Sequence, residues 1–310
     1  MPASSNAIRW LRTHAGYVVD GNGKGVVFRG ITADGLDAAA PAADQTLADA
    51  LGLSNAGLSA IFDLWKLNVI RVPFRAQTVL AGNGALSSTD VLAGLDGLIQ
   101  AVSDARGYVM LSQQAPGGTA LPDEPVFEAW NTLATRYVDE PAVLFEPFAS
   151  DLPLAANWLD AALLLVGLIR SQHPASLLFL GNGTGGADVG GLPLRFSTGD
   201  PVPNIVYTIA VDPAHPPNGA DARLAEWTDS FPLVACPWSN GGPAFDRTPE
   251  LAAEFFSRYG LGWIASNWSA APRLVEDAAG VDLTPTGWGL TVRRAVALPT
   301  RPQYVRILSG

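Results

Sequence analysis

The stretch VLFEPFASD, residues 143–151, places polar residues directly after a run of apolar ones. Three consecutive apolar residues, 143–145, are typical of a buried strand, and Ser150 and Asp151 follow within a few positions. In enzymes built on parallel strands, the reacting groups lie just past the carboxyl ends of the strands. A hydroxyl and a carboxylate at this position therefore mark a candidate site.

Other patterns that could carry chemistry give weaker signals. The glycines of GNGTGG, residues 181–186, fit the dinucleotide-binding spacing, but no helix-forming sequence follows them, so we predict a loop. The single cysteine, Cys236, ends an apolar run and is interpreted as a small buried residue rather than a nucleophile. The histidines are too scattered in sequence to indicate a metal site: His14, His173 and His215. We predict no cofactor and no metal ion.

Aromatic side chains recur within a few residues of the ends of the apolar runs: Phe74, Phe148, Trp238 and Trp268. If these runs are strands of one barrel, the four rings lie at one mouth. Aromatic faces stack on the apolar C–H faces of sugar rings. The rings either fill the top of the barrel or line a saccharide cleft, and four of them at one rim favour the cleft.

Eight apolar runs, separated by helix-like segments, predict the elements that position these residues. The runs are Val26–Ile31, Asn68–Val72, Tyr108–Leu111, Ala142–Phe145, Leu177–Leu180, Asn204–Ile209, Leu233–Cys236 and Leu261–Ala265. Apolar periodicity and capping residues predict helices over residues 54–66, 88–105, 155–171 and 248–259. Strands alternating with helices favour a parallel α/β sheet, and eight such units favour a closed (β/α)8 TIM barrel.

Further elements flank the predicted barrel. The segment YVVDGNGKGVVFRG predicts a β-hairpin, turning at residues 20–23, that plugs the amino-terminal mouth. After the last barrel strand, TVRRAVAL and YVRIL predict short added strands. No linker or repeat is evident, so we predict one domain spanning residues 1–310.

Composition excludes several classes of protein. The chain has 310 residues, of which 48% are hydrophobic, with a net charge of −10 and no cluster of basic residues. It can therefore bury a large core, and we predict no nucleic-acid partner. No apolar run is long enough to span a membrane, and the start MPASSNAIRW lacks the apolar region of a secretion signal. One cysteine allows no internal disulfide.

Several segments resemble glycoside hydrolases of family 5, the cellulase family, and the resemblance covers almost the whole chain. The most specific segment is FEAWNTLATRYVDEPAVLFEPF, with a tryptophan-bearing helix, an Arg-Tyr pair, a proline and then strand 4. The other matching segments are YVVDGNGKGVVFRGITADGLD, LWKLNVIRVPF, NIVYTIAVDP, FPLVACPW and GWIASNW. The resemblance implies the fold of a retaining (β/α)8 glycosidase and suggests an extracellular location.

The same resemblance implies that the catalytic glutamates are missing. In the family, strand 4 ends in Asn-Glu-Pro, whose glutamate is the general acid/base, and strand 7 ends in the nucleophilic glutamate. Here Ala149, Ser150 and Asp151 occupy the first three positions, and Pro237 occupies the last. Supporting positions of the family are also altered, with its two histidines replaced at Gln113 or Gln114 and near Ala210, a tyrosine near Asp212, and a tryptophan at Ser266.

Of the recurrent catalytic-site residues of the family, only Arg71 remains. In the family this arginine holds the carboxylate of the nucleophile. We therefore expect Arg71 near the floor of the barrel mouth, between Ser150 and Pro237. Having lost its partner, it should pair with another acid such as Asp34 or Asp212, or bind water, because a buried unpaired guanidinium is costly.

Retaining hydrolysis needs two carboxylates about 5–5.5 Å apart. The resemblance without them implies a non-catalytic, glycosidase-like barrel that binds an oligo- or polysaccharide, or a protein partner. The residues expected to bind a ligand are Arg71, Phe148, Asp151, Asp212, Trp238 and Trp268. One alternative is an active O-glycoside hydrolase whose carboxylate pair is drawn from Asp34, Asp37, Asp151, Asp212 and Asp246. Another is a structural domain of a larger assembly.

Overall fold

The computed structural model describes residues 8–115, 121–149, 157–181, 193–211, 226–239, 248–277 and 283–299. Three short strands come first: β1 (Arg12–His14), β2 (Tyr17–Val19) and β3 (Gly25–Val26). Eight parallel strands then form a closed barrel: β4 (Arg29–Thr32), β5 (Val69–Phe74), β6 (Tyr108–Gln114), β7 (Val143–Ala149), β8 (Leu178–Gly181), β9 (Ile205–Val211), β10 (Leu233–Trp238) and β11 (Gly262–Ala265). The predicted (β/α)8 barrel is confirmed, and each predicted apolar run contributes one of its strands.

The barrel strands are apolar on both faces because one face points into the barrel and the other packs against helices. The interior is a cluster with a residue from each strand or from the position just before it: Phe28, Val69, Met110, Leu144, Phe179, Val206, Val234 and Ile264. The intervening residues, such as Ile70 and Val72 on β5, join the larger cluster between strands and helices. This alternation assigns every strand residue to the interior or to the helical layer.

The helices are α1 (Leu47–Ala50), α2 (Asn55–Ser59, continuing as a π turn over Ala60–Leu64), α3 (Ala76–Ala81), α4 (Ser88–Asp104), α5 (Glu124–Arg136), α6 (Trp158–Gln172), α7 (Thr248–Tyr259) and α8 (Gly287–Ala297). The four predicted helices are confirmed as α2, α4, α6 and α7. Side-chain caps explain several of the starts. Ser54 accepts a hydrogen bond from Gly57 N, and Ser87 forms a capping box with Asp90. None of the described helices is long and apolar enough to cross a membrane.

The predicted amino-terminal hairpin is also confirmed. Strands β2 and β3 pair antiparallel, and Gly23 N donates to Asp20 O at 2.8 Å within the turn. Leu11 and Val18 belong to the same apolar cluster as the barrel interior. The hairpin therefore closes the amino-terminal end of the barrel, which leaves the carboxyl end as the place for a site.

The segment TVRRAVAL, predicted to be an added strand, is instead part of helix α8. Thr286 caps this helix by accepting a hydrogen bond from Gly289 N, and its buried face includes Trp288, Val292 and Ala295. Their spacing is helical, so tertiary burial overrides the β-branched composition that suggested a strand. The second predicted strand, YVRIL, lies outside the described residues. That the whole chain forms one domain stays a prediction.

Candidate functional site at the carboxyl end of the barrel

A buried ion pair lies inside the barrel near its carboxyl end. Arg71 on β5 donates from Nε to Oε2 of Glu146 on β7 at 2.6 Å. The two residues are 6% and 3% exposed, respectively. As expected, Arg71 lies inside the barrel, and its acidic partner among the described residues is Glu146. Asp34 bonds elsewhere, and a pairing of Arg71 with Asp212 stays a prediction, because Asp212 lies outside the described residues. Glu146 is two residues after Leu144 on β7, so both side chains point into the barrel. This spacing is the signal in the sequence that could have predicted the pair with Arg71.

Two further side chains extend this ion pair toward the mouth. The hydroxyl of Ser112 on β6 donates to Oε2 of Glu146, and Nε2 of Gln114 donates to Oγ of Ser112 at 2.7 Å. Because the single hydroxyl proton of Ser112 is used on Glu146, its oxygen accepts from Gln114. The amide nitrogen of Gln114 therefore faces Ser112, and its carbonyl oxygen faces away. We call Arg71, Glu146, Ser112 and Gln114 the polar relay.

The thiol of Cys236 on β10 lies within electrostatic reach of this relay. Burial raises the pKa of Cys236 to about 12, Arg71 lowers it and Glu146 raises it. The thiol is therefore protonated at neutral pH and cannot act as a thiolate nucleophile. Its burial agrees with the interpretation of Cys236 as a small interior residue.

The positions expected to replace the catalytic glutamates are only partly described. Pro237 follows Cys236 in β10 and is exposed. Ser150 lies outside the described residues, as do Asp151 and Asp212, so the expected placement of Ser150 opposite Pro237 stays a prediction. Ala149 ends β7 and pairs in register with Gln114. The other replaced positions follow the expected strands, with Gln113 in β6, Ala210 in β9 and Ser266 just after β11.

The structure does not support a rim of sugar-stacking aromatic rings. Phe74, Phe148, Trp238 and Trp268 are all at most 1% exposed. Their rings pack against other aromatic rings, namely Trp130, Trp158, Trp263 and Trp65, respectively. A buried ring offers no face to a sugar, so the expectation of ligand stacking on these residues is corrected to core packing.

Register shifts explain why two of these rings leave the interior. Strand β7 shifts register between Glu146 and Ala149, and β10 shifts between Ala235 and Trp238. Each shift adds one residue to a strand and reverses the inside–outside alternation beyond it. Phe148 and Trp238 therefore face the helical layer, although simple alternation places them inside. Each shifted segment contains a proline, Pro147 or Pro237, and a proline within a strand is a sequence signal for a bulge.

The acids proposed as a relocated pair are engaged elsewhere or not described. Asp34 accepts hydrogen bonds from Ser269 Oγ at 2.6 Å and Ala270 N at 3.0 Å. Asp37 accepts from Arg75 N at 2.9 Å and also lies 3.6 Å from Arg75 Nε. Asp246 lies outside the described residues, together with Asp151 and Asp212. Within the described part of the chain, Glu146 is the only buried acid.

The described residues offer no set of metal ligands. The described residues contain no group of three or more His, Cys, Asp or Glu side chains placed to hold a metal ion. Glu146 is bound to Arg71 and Ser112 instead.

Comparison with known proteins gives a consistent set of matches. A family model described as Cellulase (glycosyl hydrolase family 5) matches residues 19–210, which is more than half of the chain. Endoglucanase 5 of Pectobacterium carotovorum subsp. carotovorum is 24% identical over 87% of this chain and 52% of its own length. Endoglucanase N of Pectobacterium atrosepticum is 23% identical over 87% of this chain and 59% of its own. The chain spans about half the length of the curated relatives it matches.

Solved structures share the fold at low sequence identity. Cellulase Cel5C_n superposes with a TM-score of 0.74 at 16% identity, covering 97% of this chain and 96% of that one. The β-glucanase SdGluc5_26A from Saccharophagus degradans, solved with cellotetraose, gives 0.72 at 14% identity and covers 96% and 97%. The catalytic domain of Thermobifida fusca endoglucanase Cel5A gives 0.73 at 18% identity and covers 93% and 97%.

Proposed function

Because the chain belongs to glycosyl hydrolase family 5, the cellulase family, we propose that it is a member that binds saccharides without hydrolysing them. The observation that carries this proposal concerns Glu146, the one buried acid in the described part of the barrel, which is already bound by other side chains. Oε2 of Glu146 accepts hydrogen bonds from both Arg71 and Ser112. The family nucleophile position is Pro237, whose side chain has no heteroatom.

The reaction of the family needs two carboxylates with different tasks. One attacks the anomeric carbon and the other protonates the leaving oxygen, at a separation of about 5–5.5 Å. Ser150 cannot supply an acid of useful pKa, and removing each carboxylate costs a rate factor of about 100 or more. Glu146 alone does not replace this pair, because it is the one buried acid among the described residues and the reaction needs two carboxylates.

The relay supports recognition of a neutral saccharide. The charges of Arg71 and Glu146 cancel within their ion pair, so this pair itself attracts neither anions nor cations strongly. Gln114 is partly exposed, and no donor among the described residues reaches its carbonyl oxygen, which is turned away from Ser112. This oxygen can accept a hydrogen bond from a sugar hydroxyl. With the aromatic rings buried, we expect millimolar rather than tight binding, since only a few exposed hydrogen bonds contribute.

A β-linked glucan is the ligand class that the likeness suggests, because the Saccharophagus relative is in complex with cellotetraose. The test is titration calorimetry with cellotetraose on the unmodified protein and on Gln114→Ala. We expect Gln114→Ala to weaken binding about threefold to tenfold. The matched control is Gln100→Ala on the exposed face of α4, which should bind as the unmodified protein does.

Absence of any binding by the unmodified protein, or equal effects of the two variants, would refute saccharide recognition at the polar relay. The names of the curated relatives favour a second candidate, since both are endoglucanases. In that case the catalytic pair comes from Asp151, Asp212 and Asp246, and the hydrolysis assay that closes the Discussion separates the two proposals.

A further inference from the structure

A groove lies at the amino-terminal end of the barrel, between the hairpin turn and the start of β6. It has a volume of about 570 Å³, and its lining includes Arg9, Asp20, Asn22, Lys24, Arg106 and Tyr108. Tyr108 begins β6 and Asp20 begins the hairpin turn, so this groove lies opposite the carboxyl-end mouth. It is a separate feature from the polar relay.

Three cations from three different segments converge on this groove. Arg9 precedes β1, Lys24 ends the hairpin turn, and Arg106 lies in the turn between α4 and β6. The whole chain has 19 basic and 29 acidic residues, so three cations beside one acid reverse its overall charge balance. None of the ion pairs among the described residues involves these three side chains.

The one acid of the groove is occupied with the backbone. Oδ1 of Asp20 accepts hydrogen bonds from Asn22 N at 2.8 Å and Lys24 N at 2.9 Å. These bonds hold the turn that carries Lys24. Asp20 therefore shapes the groove, and its single negative charge leaves the groove with an excess of positive charge.

Arg9 is held in place by neutral groups. Its Nη1 donates to Oδ1 of Asn22 at 2.7 Å, and the hydroxyl of Tyr108 donates to its backbone oxygen at 3.4 Å. An amide partner orients a guanidinium without neutralising it. The groove is thus built before any ligand arrives, which reduces the entropy cost of binding.

We propose that this groove binds a compact multivalent phosphate. Guanidinium groups donate in pairs to phosphate oxygens, and an ammonium adds a point charge that can meet a neighbouring phosphoryl group. A ligand with several linked phosphates can engage all three cations at once. A single carboxylate or a single phosphate neutralises only part of this charge.

The test is titration calorimetry of the full chain with inorganic tripolyphosphate, at about 20 mM salt because screening weakens exposed charges. We expect one ligand to bind per chain, and the double variant Lys24→Gln/Arg106→Gln to weaken binding about tenfold or more. The matched control is Arg12→Gln, on the exposed side of β1 and outside the groove, with a change of less than about twofold. Circular dichroism of each variant checks that the fold is kept.

Two further ligands define the chemistry of the site. Inorganic monophosphate and citrate should each bind at least about tenfold more weakly than tripolyphosphate. The proposal is overturned if tripolyphosphate does not bind at all, if citrate binds equally well, or if Arg12→Gln weakens binding as much as the double variant. Cellotetraose binding should be the same in every variant, so this proposal and the saccharide proposal fail independently.

Discussion

Arg71 and Glu146 form an ion pair across the inside of the barrel, from β5 to β7, with 2.6 Å between Nε and Oε2. Ser112, on the strand between them, donates its hydroxyl to the same carboxylate oxygen. In the family resemblance this arginine serves a nucleophile at the end of strand 7. Here it is bound to Glu146 within β7, the fourth strand of the barrel, and the charges of the two side chains cancel.

The first prediction concerns the stability of this pair. Glu146→Leu should lower the free energy of unfolding by about 3–5 kcal/mol, because it removes the carboxylate that faces a buried guanidinium. The double variant Arg71→Met/Glu146→Leu should recover most of this loss, since it buries no charge. Urea unfolding measures both. The control is Asp96→Asn in the exposed pair with Arg136, which should cost about 1 kcal/mol or less.

A cost for Glu146→Leu no larger than that of Asp96→Asn would contradict a buried, mutually dependent pair. A double variant Arg71→Met/Glu146→Leu that is as unstable as Glu146→Leu would also contradict it.

The second prediction concerns acid sensitivity through His173. This residue is fully buried between Trp10 and Phe145, and neither ring nitrogen has a hydrogen-bond partner among the described residues. Burial lowers the pKa of His173, and the nearby Asp139 only partly opposes this. Below about pH 6.5 the unfolded chain therefore binds more protons at this residue than the folded chain does.

Stability should consequently fall as pH drops below about 6.5, by up to about 1.4 kcal/mol per pH unit from this residue. His173→Leu should remove that part of the pH dependence. Urea unfolding at pH 7.5 and pH 5 measures the pH dependence of stability in the unmodified protein and in the His173→Leu variant. An identical pH dependence in the two proteins would show that His173 is not the group responsible.

The third prediction concerns the reactivity of Cys236. The thiol of an unfolded chain ionises near pH 8.5, whereas burial raises the pKa of folded Cys236 to about 12. At pH 8 the folded protein should not react with a thiol-specific disulfide reagent, and the urea-unfolded protein should react at once. Between these two pKa values the unfolded chain binds fewer protons, so this residue lowers stability as pH rises. Rapid labelling of the folded protein would place the thiol in contact with solvent.

The fourth prediction separates packing from ligand binding at Trp268. Its ring is fully buried against Trp65, and its Nε1 donates to Gly52 O at 2.9 Å. Trp268→Ala should lower the free energy of unfolding by about 3–5 kcal/mol. Trp10→Ala, at a partly exposed ring, is the control and should cost clearly less. Equal losses in urea unfolding would mean that Trp268 is not a core residue.

The barrel could be predicted from sequence because its determinants are local and repeated. Short apolar runs recur along the chain, four of them are followed by a recognisable helical pattern, and the hairpin turn has its own residue signature. Helix α8 was misassigned because its β-branched residues hid a helical spacing that only the buried neighbours, such as Leu274, make decisive.

The candidate site was harder to predict, for a physical reason. Alternation gives the direction of a side chain only while the register is unbroken. The shifts at Pro147 and Pro237 reverse that direction, so Phe148 and Trp238 pack outward. Conversely, Glu146 precedes the shift, so its inward direction follows from simple alternation with Leu144 and allows the pair with Arg71.

The fifth prediction concerns the two positions at which the resemblance implies that catalytic acids are missing. Ser150→Glu/Pro237→Glu restores two carboxylates, but not the Asn, His and Tyr side chains that orient and tune them in the family. We expect at most trace release of reducing ends from soluble β-1,4-glucan by this variant. Robust hydrolysis would show that the scaffold lacks only its two acids.

The central claim, binding without turnover, is tested most directly on the unmodified protein. The measurement is release of reducing ends from soluble β-1,4-glucan, β-1,3-glucan, mannan and xylan. The account predicts no release above a blank, because the resemblance to the family places Ser150 and Pro237 where the two catalytic glutamates are expected. Clear hydrolysis that is abolished by Asp151→Asn or Asp212→Asn would contradict it and assign the activity to a relocated pair of carboxylates.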